Sequence, residues 1–167
     1  MRRVLVLAAA IATSIVWISS ARAGTIVSNV ADGILTVNGT TEGDDVTVRC
    51  ESGQVTVNHD PPSGGPTACA DLRRILAFAG EGPDRVSLDD VTLSAFDHLL
   101  LQAGTGDDRI LGGDGDDFVQ AGDGDDEFEG GVGDDSLSGG SGNDELSGGR
   151  GDDTCRGGPG ADSFVSC

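Results

Sequence analysis

A nine-residue repeat fills the C-terminal part of this 167-residue chain. Divided from residue 103 onward, the sequence yields seven consecutive blocks of the form G-G-x-G-x-D-x-U-x, where U is apolar. The blocks are AGTGDDRIL, GGDGDDFVQ, AGDGDDEFE, GGVGDDSLS, GGSGNDELS, GGRGDDTCR and GGPGADSFV. Only Ala103 and Ala121 replace the glycine of the first slot. A fixed period indicates an architecture in which each unit packs only against its neighbours, so this feature constrains the fold more than any other.

Two slots of the block carry side chains of one kind throughout. The sixth slot is aspartate in all seven blocks: Asp108, Asp117, Asp126, Asp135, Asp144, Asp153 and Asp162. The eighth slot holds Ile110, Val119, Phe128, Leu137, Leu146, Cys155 and Phe164. A flexible, acidic Gly/Asp-rich tail is the alternative interpretation, but a linker has no need for an apolar residue at every eighth slot.

These blocks resemble the RTX, or hemolysin-type, calcium-binding nonapeptides, which form a calcium-binding parallel β-helix. The resemblance covers residues 103–165 closely, with a looser copy, AGEGPDRVS, at 79–87 and a fainter one, TTEGDDVTV, at 40–48. The segment DDTCRGGPGADSFVSC also resembles the cysteine-framed end of secreted actinobacterial members. The resemblance implies an all-β chain that forms a right-handed parallel β-roll or β-helix, with Ca²⁺ bound by the slot-six aspartates.

Elementary geometry agrees with this resemblance. Six glycine-rich residues can form a tight turn, because glycine accepts positive φ and lets backbone segments approach closely. The remaining three residues can form a short strand whose middle side chain points inward. Two nine-residue blocks complete one coil, and successive coils stack at the strand spacing of about 4.8 Å.

Stacking brings the slot-six aspartates of alternate blocks face to face across one gap. Without a cation these carboxylates repel one another. Calcium takes about 6–8 oxygen ligands at ~2.3–2.6 Å, which two aspartates and several turn carbonyls can supply, whereas magnesium demands a tighter octahedron. Repulsion should keep the metal-free array unfolded, so that folding and calcium binding are one process.

The seven blocks predict about five bridging calcium ions, one for each pair of facing aspartates. The expected pairs are Asp108/Asp126, Asp126/Asp144, Asp144/Asp162, Asp117/Asp135 and Asp135/Asp153. Asp84 of the looser copy is a further candidate ligand, although its distance from Asp108 in the sequence is not a multiple of nine and so requires a longer coil. Asp45 of the fainter copy is a weaker candidate, because Thr47 occupies the apolar slot after it.

The region 24–102 is less regular than the repeats at 103–167. It contains short β-like runs such as Ile34–Val37, Val46–Val48 and Ile75–Phe78, separated by glycine- and proline-rich turns. We expect an N-terminal extension of the same β-helix with wider coils. A small separate sandwich is the alternative.

The segment 1–23, MRRVLVLAAAIATSIVWISSARA, has the organisation of a secretory signal peptide. Arg2 and Arg3 precede an apolar run from Val4 to Ile18, and Ala-Arg-Ala stands before Gly24 as a cleavage site. A membrane anchor is the alternative, but the run is short for a span of about 20 residues. The sequence therefore predicts a secreted, extracellular protein with no membrane span after cleavage.

The predicted export indicates that the four cysteines form disulfides, because an even number of cysteines in a secreted chain suggests disulfide pairing. Short loops favour the pairs Cys50–Cys69 and Cys155–Cys167 among the three possible pairings. Free thiols or a zinc site are the alternatives. Zinc is disfavoured, because there is no C-x-x-C and neither histidine is near a cysteine at ligand spacing.

The net charge limits the classes of partner that the protein can bind. Cleavage at residue 23 would leave 7 arginines against 29 acidic residues, a net charge of −22. Such a surface repels nucleic acid and anionic lipid and attracts cations. The P-loop lysine, G-x-S-x-G and H-E-x-x-H are all missing, and His59 and His98 are isolated in sequence.

These observations predict a calcium-binding protein with no catalytic activity of its own and a structural or surface-interaction role outside the cell. Its protein or cell-surface partner is not specified by the sequence. Two alternatives remain, a small secreted hydrolase with an N-terminal active site and an extracellular calcium buffer.

Overall fold

The computed structural model describes residues 27–59, 61–62, 65–90 and 98–167. The predicted signal peptide, residues 1–23, lies outside them. The strands are β1 (Val27–Ala31), β2 (Ile34–Asn38), β3 (Asp45–Glu51), β4 (Gln54–Val57), β5 (Arg74–Glu81), β6 (Arg85–Asp90), β7 (His98–Thr105), β8 (Arg109–Asp114), β9 (Phe118–Asp123), β10 (Glu127–Val132), β11 (Ser136–Ser141), β12 (Glu145–Arg150), β13 (Thr154–Arg156) and β14 (Ser163–Val165). One short 3-10 helix, Cys69–Asp71, accompanies them. Within these ranges no helix has the length and apolar character needed to cross a membrane.

The strands form two sheets whose order follows from the winding of the chain. The first sheet has the order β1-β2-β5-β7-β9-β11-β13, and the second has the order β14-β12-β10-β8-β6-β3-β4. From β5 onward, successive strands alternate between the two sheets, so each pair of strands completes one coil. Neighbouring coils pair in parallel, while β1/β2 and β3/β4 are antiparallel pairs. This arrangement confirms the predicted all-β roll of parallel coils.

The nonapeptide sets the coil length in the C-terminal part. Val119 pairs with Leu137, and Phe128 pairs with Leu146, so each coil is two blocks long. Gly122 shows why the turns need glycine. Its φ is 129°, and a Cβ atom there would overlap the carbonyl oxygen of Gly104 in the preceding coil. Glycine thus permits both the turn conformation and the close stacking of turn on turn.

The coils before the repeats are wider. Leu35 pairs with Ile75, so the first coil is more than twice as long as a repeat coil. Most of this extra length lies after β3 and forms the antiparallel strand β4 and the 3-10 helix.

The next coil explains why the sequence period fails at Asp84. Ile75 pairs with Leu99, which makes this coil longer than the two-block coil that pairs Val119 with Leu137. The pairings of Ser87 with Leu111 and of Leu101 with Val119 place the extra length between Ser87 and Leu101. The register of β5 with β7 and that of β6 with β8 are continuous, whereas β3 and β6 shift register between Thr47 and Arg49, beside this insertion.

The inward-facing apolar side chains form one continuous core along the roll. Five of the slot-eight residues are at most 2 % exposed: Ile110, Val119, Phe128, Leu137 and Leu146. Cys155 packs against this core as a partly buried residue. Phe164, by contrast, is 50 % exposed, because β14 ends its sheet and no further coil covers it.

Both predicted disulfides are confirmed. Cys50 is bonded to Cys69 with a Cα–Cα distance of 5.9 Å, and Cys155 is bonded to Cys167 with a Cα–Cα distance of 5.7 Å. The first bond lies within the widest coil, and the second ties the C-terminal residue to β13. Closing loops of this length stabilises by about 3 kcal/mol in the chain-entropy model. The second bond thereby restrains the last coil, which has a neighbour on one side only.

The register pair Leu146 and Phe164 allows a matched test of the core. Leu146→Ala should lower the free energy of unfolding by about 2–5 kcal/mol, because the side chain is fully buried and leaves a cavity. Phe164→Ala should cost about 1 kcal/mol or less, because half of that side chain is already in water. Denaturant unfolding at a fixed calcium concentration, followed by circular dichroism, measures both. Equal losses would show that the last coil is covered in solution.

Candidate metal centre

The slot-six aspartates form two ladders, one along each edge of the roll. The first ladder comprises Asp84, Asp108, Asp126, Asp144 and Asp162, and the second comprises Asp117, Asp135 and Asp153. Within each ladder, the backbone N–H of one aspartate donates to Oδ1 of the aspartate in the following coil, at 2.8–3.1 Å over the whole set. The two members of each predicted pair therefore lie in adjacent coils.

The position of each aspartate at the start of its strand fixes this arrangement. The carbonyl of Asp108 accepts a hydrogen bond from Glu127 N–H at 2.8 Å, so the main chain is already held in the sheet ladder. The carboxylate then reaches back to the preceding coil. Glycine in the first slot leaves room for it, since a Cβ atom at Gly130 would overlap the Asp135 carboxylate. The periodic glycine and the periodic aspartate thus serve one packing arrangement.

The second carboxylate oxygen of most ladder residues has no protein partner. Oδ2 is buried and without a hydrogen bond in seven described aspartates: Asp84, Asp108, Asp117, Asp126, Asp135, Asp144 and Asp153. Leaving a buried acceptor unpaired costs about 1–3 kcal/mol, and more if it is charged. A cation between the coils would give these oxygens a partner. The donor set therefore fits a divalent metal ion.

The ligands available favour calcium over softer metals. Across the described ranges, no group of three or more His, Cys, Asp or Glu side chains is placed to hold a metal ion. Adjacent coils instead bring two ladder aspartates together within glycine-rich turns. Calcium accepts mixed sets of carboxylate and backbone oxygens in flexible geometry.

The structure corrects the alignment of the fainter copy. Asp45 pairs in register with Arg85, which places Asp44 level with Asp84. Asp44 N–H donates to Asp84 Oδ1 at 2.7 Å, and Asp44 is 4 % exposed, whereas Asp45 faces solvent. The frame is therefore 39–47 rather than 40–48, and Val46 fills its apolar slot. Val46 was the signal that could have identified Asp44, but the consecutive aspartates obscured it.

A second set of mostly acidic residues was not assigned from the sequence. The fifth slot holds Asp107, Asp116, Asp125, Asp134, Asn143 and Asp152 in six of the seven blocks. Their side chains point in the opposite direction along the roll. Asp125 N–H donates to Asp107 Oδ1 at 3.0 Å, for example, one coil earlier. The slot-five side chains therefore form hydrogen bonds between successive turns on the solvent-exposed side, while the slot-six side chains form them on the buried side.

Burial makes the ladder carboxylates difficult to ionise without a metal. Loss of hydration, opposed by the backbone hydrogen bond and assisted by repulsion from neighbouring aspartates, raises the pKa of Asp108 and Asp117 to about 7. The same causes raise the pKa of Asp84, Asp126 and Asp135 to about 6. The pKa of Asp144 is also raised. Protons and metal ions therefore compete for the same oxygens.

These pKa values predict how the metal-free roll responds to pH. Because the folded-state values of about 6 to 7 exceed the ordinary 3.8, the folded chain binds protons more tightly than the unfolded chain. The stabilisation that these protonated carboxyls give the folded state is complete below pH 3.8 and is lost as the pH rises through 6 to 7. Circular dichroism in excess chelator should show more β structure at about pH 5 than at about pH 8. A larger β signal at the higher pH would contradict the burial of these carboxyls.

Comparison with known families agrees with this geometry. The family described as "RTX calcium-binding nonapeptide repeat (4 copies)" matches residues 102–137 and 129–164. Comparisons with curated proteins and with solved structures gave no match. The matched span contains all seven repeat aspartates, and the ion that such repeats bind is Ca²⁺. Parallel coils, buried aspartate ladders and the family match lead to one conclusion: residues 102–164 of the chain are RTX-type calcium-binding nonapeptide repeats.

Proposed function

We propose that this protein is a secreted, calcium-stabilised β-roll that folds when it binds calcium and that serves a structural or surface-interaction role outside the cell. The buried, unpaired Oδ2 atoms of the ladders carry the proposal. Their burial is unfavourable as long as the carboxylates are charged and unmatched. Calcium would remove that cost, because it neutralises the carboxylates and completes their coordination.

The ligands we propose are the slot-six aspartates together with Asp84. About five ions would bridge the repeat pairs, with two carboxylates contributing to each. Asp84 N–H donates to Asp108 Oδ1 at 2.8 Å, which supports a further bridge between the irregular region, 24–102, and the repeat region, 103–167. The wider coils would then be an extension of the calcium-binding roll.

Charge makes folding dependent on the ion. A processed chain with net charge −22 would crowd most of its aspartates into turns stacked about 4.8 Å apart. Apart from Ala103 and Ala121, the repeat coils bury only the slot-eight apolar residues, and this small core does little to offset such repulsion. Binding free energy would therefore contribute directly to folding, as it does in other small metal-dependent domains.

Export is supported by two observations. The two disulfides are of a kind that persists in oxidising compartments. The segment 1–23 has the charged start, apolar run and small-residue cleavage site of a signal peptide.

A role without catalysis fits the residues available. His59, a possible general base, is 68 % exposed and pairs with Glu51 at 2.8 Å, and the sequence has no G-x-S-x-G motif that would supply a nucleophile. A panel of esterase, protease and glycosidase substrates tests the hydrolase alternative, and turnover on any of them would support it.

An interaction role is favoured over simple calcium buffering by the outer face of the first sheet. Leu100 and Phe118 are register neighbours there and are 41 % and 43 % exposed. A calcium buffer has no need of adjacent exposed apolar side chains.

Calcium should convert the chain from coil to β structure. The expected result is a far-UV circular dichroism change at millimolar calcium, the order of affinity found for extracellular modules. Magnesium at the same concentration should do much less, because it sheds water reluctantly. A fully β spectrum in excess chelator, at a pH above the raised carboxyl pKa values, would count against coupled folding and binding.

Two aspartates of the same slot test the bridging arrangement. Asp135 lies between Asp117 and Asp153, whereas Asp162 has a ladder partner on one side only. Asp135→Ala should therefore lose two bound calcium ions, and Asp162→Ala should lose one. Native mass spectrometry counts the ions directly. Equal losses would contradict a site shared between successive aspartates.

A further inference from the structure

The turn at 39–44 lies far outside the residues that match the calcium-binding family, 102–137 and 129–164. Its sequence, GTTEGD, lacks glycines that the repeat turns carry, and its coil is the widest in the roll. Its backbone nevertheless stacks on the turn at 79–84 as the repeat turns stack on one another. A Cβ atom at Gly80 would overlap the carbonyl oxygen of Thr40, just as one at Gly122 would overlap that of Gly104.

Asp44 occupies the ladder position of this turn. Its N–H donates to Asp84 Oδ1, and its carbonyl accepts from Arg85 N–H at 2.8 Å. The repeats show the same two bonds, Asp108 N–H to Asp126 Oδ1 and Glu127 N–H to Asp108 O. Asp44 therefore continues the first ladder by one coil toward the N-terminus.

The gap between Asp44 and Asp84 contains an unpaired acceptor. The Asp84 carboxylate reaches the Asp44 coil through Oδ1, while its Oδ2 is buried without a partner, and the residue is 3 % exposed. Asp44 is 4 % exposed; its Oδ2 accepts Thr40 N–H at 2.6 Å, and its Oδ1 accepts the Thr40 hydroxyl at 3.4 Å. Because a carboxylate has about four acceptor positions, these two bonds orient Asp44 and leave capacity for a cation.

We propose that Asp44 and Asp84 form a further calcium site, in the irregular region and outside the recognised repeats. The inference rests on the proposed function, since it assigns to a new pair the chemistry proposed for the repeat pairs. The site would fasten the widest coil, which is closed by the Cys50–Cys69 disulfide, to the rest of the roll. Calcium would then order the coils of the irregular region as well as the C-terminal repeats.

Asp45 supplies a matched control. It is the next residue, carries the same charge and is exposed in β3. Asp44→Asn and Asp45→Asn therefore change the net charge equally, but only the first removes a buried ladder carboxylate. An effect confined to Asp44 cannot arise from the general electrostatic attraction of calcium.

The test counts calcium ions bound to the disulfide-bonded chain by native mass spectrometry. Asp44→Asn should bind one ion fewer than the unsubstituted protein, Asp45→Asn should bind the same number, and Asp84→Asn should lose two. An unchanged count for Asp44→Asn would overturn the inference. If the unsubstituted chain bound no calcium at all, the proposed function itself would fail, so the two failures are distinguishable.

A second measurement applies if Asp44→Asn does not fold on addition of calcium. Crystals of the unsubstituted protein grown with Tb³⁺ in place of calcium should give an anomalous scattering peak between Asp44 and Asp84. Peaks in the repeat gaps with none in this gap would overturn the inference.

Discussion

The stacking of carboxylates in register is the constraint on which the rest of this structure depends. Parallel coils must repeat at about 4.8 Å, so a residue in a fixed slot faces its equivalent in the next coil. When that residue is a buried aspartate, repulsion and lost hydration both oppose the fold. The backbone hydrogen bond to Oδ1 offsets part of this cost. The rest of the cost comes from Oδ2, which is buried without a hydrogen-bond partner.

The glycines follow from the same constraint. A turn that stacks directly on another turn leaves no room for a side chain at its crowded positions, as the overlap at Gly122 shows. The first-slot glycine has a different role, since it leaves space for the carboxylate within its own block. The high glycine content, the nine-residue period and the buried carboxylates therefore all follow from stacking one turn directly on another.

The sequence predicted the parts of the fold that are strictly periodic. Strand positions, inward-facing slots and adjacent aspartate pairs could be read from the nine-residue pattern, because every coil has the same environment. The end of the stack broke that equivalence. Phe164 occupies an inward slot of the pattern, but it is exposed because no coil follows it. Asp44 was missed because an insertion and a neighbouring aspartate hid the register, which only strand pairing reveals. The slot-five contacts were also missed, since their direction along the roll depends on three-dimensional stacking.

We propose that calcium binding to the ladders and folding of the roll are a single equilibrium. The most direct test is the free energy of unfolding measured by denaturant titration at several saturating concentrations of free calcium. Each ion released on unfolding adds about 1.4 kcal/mol of stability for each tenfold rise in free calcium. The proposed number of about five bridging ions therefore predicts an increase of about 7 kcal/mol for a tenfold rise in free calcium. A free energy of unfolding that does not change with calcium would contradict the account.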